Sequence, residues 1–177
     1  NKIKDVKIYF HGSFKETYKG HGTDKAIIGG LLGLKTDNSK IKDSFQLAEE
    51  NGLHFEFYPI DLNNMHPNTM KLEITDQNNI QTTIVASSIG GGNIIVTELN
   101  GTEVKLKGEY YTLITFHNDQ PGLIAKISEI LQIYNLNIAE MEVLRKRKGS
   151  QATAIINLDH KVEEHILKLL RDIPGIN

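Results

Sequence analysis

Four strand-length runs follow one another in this chain: Leu53 to Pro59, Thr69 to Thr75, Thr82 to Ser88 and Ile94 to Leu99. The residues between the later runs reverse the chain. Asp76-Gln77-Asn78-Asn79 separates the second from the third, Gly90-Gly91-Gly92-Asn93 the third from the fourth, and Asn100-Gly101 ends the series. Glycine and asparagine reach the left-handed backbone that tight reversals need, so successive runs return beside one another as antiparallel neighbours. An alternating strand, Val6 to Phe10, and two helices precede them. The first helix runs from about Asp24 to Leu34 on Ala26, Ile27, Ile28, Leu31 and Leu32; the second runs from about Lys40 to Glu50, with Ile41, Phe45, Leu47 and Ala48 on one face and Asn51-Gly52 as its stop. The first part is therefore predicted to be an α+β domain with a mostly antiparallel sheet.

The pattern changes near residue 108, which divides the chain into domains 1–108 and 109–177. Tyr111 to His117 reads as a strand, and Pro121-Gly122 opens a helix whose apolar positions Leu123, Ile124, Ile127, Ile130 and Leu131 keep helical spacing. Ile138 to Arg145 and Gln151 to Asp159 form a hairpin around Lys148-Gly149. Val162 to Ile173 is a second amphipathic helix. Strand, helix, strand, strand, helix is a ferredoxin-like βαββαβ unit without its last strand. That strand is expected to begin at Pro174-Gly175-Ile176-Asn177, and truncation or disorder is expected there.

Composition narrows the function classes. A net charge of -2 over 177 residues gives no basic tail for nucleic acid. The single cationic run, Arg145 to Lys148, reads as a solvated hairpin end. No apolar stretch approaches membrane-spanning length and no leader is visible, so a cytoplasmic protein is expected. Cysteine is absent, which excludes disulfides, thiolate nucleophiles and cysteine-held metal within this chain. Because the sequence starts at Asn1 rather than methionine, it is expected to be part of a longer polypeptide.

Lys19-Gly20-His21-Gly22-Thr23-Asp24 carries the chemistry best. Gly20 and Gly22 let the backbone come close to a ligand, and Thr23 or Asp24 is placed to cap a helix whose N-terminus attracts an anion. A carboxylate at that end would lie beside the His21 imidazole, which can take a proton near neutral pH. The alternative is a glycine-rich loop with a surface histidine. His66 and Asn68, two apart, point to one side if extended, but Asn63-Asn64 and Pro67 allow a turn instead. Gly90-Gly91-Gly92 after Ser87-Ser88 is either an anion cradle or a hairpin. His11, His21 and His66 match no metal-ligand spacing, so no metal site is predicted.

Two resemblances cover essentially the whole chain. The second unit resembles an ACT domain, a small amino-acid-sensing module, through His117-Asn118-Asp119-Gln120-Pro121-Gly122-Leu123-Ile124 and Asn135-Leu136-Asn137-Ile138-Ala139. The first resembles the β subunit of bacterial iron-sulfur L-serine dehydratase, an allosteric-substrate-binding-like α/β domain. It does so through Gly12-Ser13-Phe14-Lys15-Glu16-Thr17-Tyr18 running into Lys19 to Asp24, then His66-Pro67-Asn68 and Ser87-Ser88-Ile89-Gly90-Gly91-Gly92. The family's opening segment, with its Ser-Ser-Ser-His-Thr motif, is expected before Asn1.

The family resemblance implies conversion of L-serine to pyruvate and ammonia on a 4Fe-4S cluster that acts as a Lewis acid. With no cysteine here, it implies that the cluster sits on a partner α subunit and that this chain alone is inactive. It implies His21 as the base, and His66, Asn68, Gly20, Gly22 and Thr23 as substrate-binding residues. By the ACT resemblance, His117, Asp119, Gly122 and Asn137 bind an effector, and the unit forms a homodimer. Many ACT domains carry Asn where Asp119 stands, and an acid there favours a ligand ammonium. Two other functions fit the same units: the regulatory region of a phosphoglycerate dehydrogenase and a free-standing amino-acid sensor.

Overall fold

The computed structural model describes residues 2–145 and 147–176, which fall into two compact units divided between Lys107 and Gly108. Asn1, Lys146 and Asn177 lie outside the described residues. They include the chain start, one member of the cationic run and the end of the expected last strand.

In the first unit β1 (Ile3–His11) leads through α1 (Ser13–Thr17), α2 (Thr23–Leu31), a 3-10 turn (Ser39–Asp43) and α3 (Ser44–Glu50) into β2 (His54–Ile60). β3 (Thr69–Asp76), β4 (Gln81–Gly90), β5 (Asn93–Leu99) and β6 (Thr102–Leu106) follow. The sheet order is β2-β1-β3-β4-β5-β6. Only β1 and β2 pair in parallel, because a helical crossover joins them; β3 returns antiparallel on the other side of β1, and the hairpin-connected strands β3 to β6 are antiparallel in turn. Strand alternation puts Val6, Ile8 and Phe10 on one face, in a core with Ile28, Ala48, Leu53 and Leu72. Burying the valine, isoleucine, leucine and phenylalanine side chains of this core contributes about 1.5–3 kcal/mol each. An aromatic group on the same face ties the helices down: Tyr18 stacks on Phe10 at 4.4 Å, and Phe57 lies 5.9 Å from Phe10.

Several local expectations change. α1 was not predicted, since five residues carry too little periodicity to read. The first turn of the Lys40 helix is 3-10, tightened where the Asn38 side chain accepts the Lys40 amide at 2.9 Å. Asn100-Gly101 does not end the strand series but turns it into β6. The helix after His21 is capped by Gly22, left-handed at φ 68, rather than by Thr23 or Asp24. It stops at Leu31, and Leu34 instead returns its amide to the Gly29 carbonyl.

The second unit runs β7 (Tyr111–Asn118), α4 (Leu123–Ile133), β8 (Ile138–Arg145), β9 (Gln151–Leu158) and α5 (Glu164–Arg171), with sheet order β7-β9-β8. Leu123, Ile127 and Leu131 of α4 pack with Ala154, Ile156 and Leu158 of β9 and with Ile166 and Leu170 of α5. Beyond β7, a single antiparallel bridge joins His117 to Ile176, and the Asn118 amide donates to the Gly175 carbonyl. This is the ferredoxin-like arrangement, with the fourth strand's place marked beside the first.

Candidate functional site

One end of the six-stranded sheet collects most of the residues singled out in the first unit. β1 ends there at His11, β2 at Ile60 and β4 at Gly90, while β3 begins there at Thr69. The segment 61–68 crosses this end and is held at three points. His11 Nδ1 accepts the Leu62 amide at 3.1 Å, and Lys15 Nζ pairs with Asp61 at 2.5 Å. Gly12 sits against Pro67 so closely that a Cβ there would overlap the Pro67 backbone, and its φ of 58 also suits glycine alone. The Lys15 ammonium keeps the Asp61 carboxyl below its ordinary titration range.

His66 and Asn68 lie in this segment as a turn. The Asn68 amide donates to His66 Nδ1 at 3.1 Å, so the two side chains are not on one extended face. The His66 carbonyl accepts the Thr69 hydroxyl at 2.6 Å, and the Asn68 carbonyl accepts the Ser88 amide at 2.9 Å. Thr69 is fully buried and its Oγ1 lies 2.7 Å from Ser87 Oγ. Sequence reasoning gave Thr69 no role. No local pattern could show it, because the two hydroxyls are eighteen positions apart and meet only through the β3/β4 register.

His21 occupies the turn between α1 and α2 and is exposed. The loop is closed by its own backbone: the amides of His21, Gly22 and Thr23 donate to the carbonyls of Thr17, Lys19 and Tyr18. The three amides nearest the expected anion are thus already paired. Asp24 is 8% exposed and accepts the Lys25 amide, satisfying another donor of the helix start. Beside Gly22 a Cβ would meet nothing within 4 Å, and beside Gly20 only the Thr17 carbonyl. The loop is therefore open to a ligand above the glycines. Among the described residues no hydrogen bond joins His21 to His66 or Asn68, and no three acidic or histidine side chains converge as metal ligands. Gly91 and Gly92, at φ 59 and 78, form the two-residue hairpin turn between β4 and β5.

In the second unit, His117 is buried on β7 with Nδ1 3.3 Å from the Thr115 hydroxyl. Gly122 caps α4 in the left-handed region at φ 85. Asp119 Oδ2 accepts both Arg145 Nη1 at 2.8 Å and the Gly149 amide at 2.9 Å. Its carboxyl is lowered from its ordinary value, first by the Gly149 amide and then by Arg145. Asn137 donates to Asp159 at 2.8 Å, at the other end of the sheet. An eight-residue strand separates the two groups by about 25 Å, so one small molecule cannot touch both within a single copy.

The serine dehydratase beta chain family matches residues 1–54, and the ACT domain family matches residues 111–175. The chain is 44% identical to the probable L-serine dehydratase beta chain of Bacillus subtilis, over 97% of this chain and 77% of that one. The chain belongs to the serine dehydratase β-chain family. A second relative, the L-serine dehydratase beta chain of Peptoniphilus asaccharolyticus, is 34% identical over 94% of this chain and 75% of its own length. The likeness to D-3-phosphoglycerate dehydrogenase of Bacillus subtilis is 26% over 98% of this chain but only 33% of that enzyme. Membership in the β-chain family thus spans both units, and the dehydrogenase shares a region of itself. Among the described residues no helix is long and apolar enough to cross a membrane.

Proposed function

We propose that this chain is the β subunit of a two-subunit L-serine dehydratase that converts L-serine to pyruvate and ammonia in the cytoplasm. The observation that carries the reading is the 44% identity to a β chain along nearly the whole sequence. The 4Fe-4S cluster that the family implies does not fit this chain, which has no cysteine and no convergent ligand set among its described residues. The cluster is therefore assigned to an α subunit, and the pocket to the junction of the two.

This chain's part is to bind serine and move a proton. His21, exposed above an open glycine turn, takes the proton from the substrate's α-carbon. Gly20, Gly22 and Thr23 shape that turn, and His66 and Asn68 hold the substrate from segment 61–68. Loss of the α-proton and the hydroxyl leaves an aminoacrylate, whose hydrolysis gives pyruvate and ammonia. The ACT unit forms a homodimer and senses an amino acid between copies, where Asp119 of one copy approaches Asn137 of another; His117, 2% exposed, lies beneath that surface rather than on it.

Reconstitution tests the assignment. Purified alone, the chain should form no pyruvate from serine; mixed anaerobically with a cysteine-bearing α subunit, in the full-length form, it should. Pyruvate formation by the cluster-free chain alone would overturn it. Serine binding without turnover in the reconstituted mixture would favour the regulatory role suggested by the dehydrogenase likeness.

A further inference from the structure

The Thr69 hydroxyl has one hydrogen, and the His66 carbonyl, which can only accept, takes it at 2.6 Å. The 2.7 Å contact between Thr69 and Ser87 must then use the Ser87 hydrogen. The bonds run in one direction: Ser87 O–H to Thr69 Oγ1, and Thr69 O–H to the His66 carbonyl. Both hydroxyls are buried, at 4% and 0% exposure, so water cannot replace either bond cheaply. The far side of the turn is fixed as well, since the Asn68 amide donates to His66 Nδ1 and the Asn68 carbonyl accepts from Ser88. With Nδ1 occupied as an acceptor, the proton of the neutral ring lies on Nε2. His66 is exposed, so the group it offers outward is an N–H donor.

We infer that Ser87 and Thr69 are positioning residues that hold His66 as an Nε2–H donor to a carboxylate of the substrate. The inference rests on the substrate-binding reading of His66 and divides the labour between the two histidines: His21 accepts a proton, and His66 donates a hydrogen bond. Neither hydroxyl touches substrate. Their effect is carried by the backbone of residues 66–69, which sets where the ring stands and which nitrogen is free.

Two readouts separate the relay from the substrate reading. In the chain labelled with ¹⁵N-histidine, His66, identified by its loss in His66→Ala, should show a pyrrole-type Nε2 and an acceptor-type Nδ1 at a pH where it is neutral. Thr69→Val, which keeps the shape but removes the hydroxyl, should mix the two tautomers, and Thr69→Ser should restore the pattern. Ser87→Ala removes only the first donor and should act in the same direction, which covers the case in which the valine variant does not fold. In the reconstituted α/β enzyme, Thr69→Val should raise KM for serine about tenfold with kcat held within about twofold, the pattern of lost uniform binding. An unchanged ring spectrum in both hydroxyl variants overturns the relay. A fall in kcat with unchanged KM overturns the donor role. If His66→Ala leaves KM unchanged, the substrate reading of His66 fails, while an altered spectrum in Thr69→Val still upholds the relay.

Discussion

His21 and His66 differ in what the chain does with them. His66 is bonded through its ring and its carbonyl, whereas the polypeptide engages His21 through its backbone amide and leaves the imidazole exposed. A base must be free to meet its substrate, and it acts in the transition state rather than in binding. His21→Ala in the reconstituted enzyme should therefore lower turnover on the order of a hundredfold or more, with little change in KM. Melting should stay near wild type, because an exposed loop side chain contributes little to packing. Steady-state kinetics and one melting curve check this; unchanged turnover would return His21 to the role of a surface loop residue. That His21 lies in a glycine turn ahead of a helix was legible in the sequence because glycine's backbone freedom acts locally. The roles of Thr69 and Ser87 were not, since each hydroxyl acquires a partner only when β3 and β4 pair.

Among the elements, the β8–β9 hairpin depends on a residue far from it in sequence. Asp119, in the loop between β7 and α4, binds the end of β8 through Arg145 and the turn through the Gly149 amide. These contacts stabilise the carboxylate and lower its folded titration point, so their contribution is present above the unfolded value and is lost as pH falls below about 3.9 toward the lowered folded value. Asp119→Asn should consequently melt below wild type at neutral pH, and the gap should narrow as the medium is acidified through pH 4 toward 3. Melting curves at pH 7 and pH 3 read this directly; a gap of equal size at both would show that the charge is not what holds the hairpin. From sequence, Asp119 read as a ligand for an ammonium. Its partner in the folded unit is a guanidinium of the same chain.

For the whole molecule, the ACT unit leaves Ile133 67% exposed, Val143 45% and Leu169 41%, and β8 is an edge of its sheet. An open edge with apolar surface nearby favours association. Together with the distance between Asp119 and Asn137, this supports a pair of copies as the unit that senses an amino acid. Sedimentation at high micromolar concentration should show a dimer, and a monomer under those conditions would count against the proposed effector site between copies.

The order of strands and helices, the boundary near residue 108, the hairpins at Gly90-Gly91-Gly92 and Lys148-Gly149 and the family motifs were readable from the chain itself. Periodicity, left-handed turn residues and short motifs act within a few neighbouring positions, and a linear sequence displays such information. It did not display α1, which is too short to carry a period, or β6, whose strand character becomes definite only by pairing with β5. Nor did it display the triple hold on segment 61–68 by His11, Gly12 and Lys15, or the Ser87–Thr69–His66 chain. Apart from the Thr69–His66 bond within the turn, those contacts join residues 18 to 55 positions apart by number, and only sheet register brings them within reach. Sequence alone determined which groups could do chemistry, and the tertiary structure decided which of their atoms remain free to do it, because a hydrogen already bonded inside the fold is not available to a ligand.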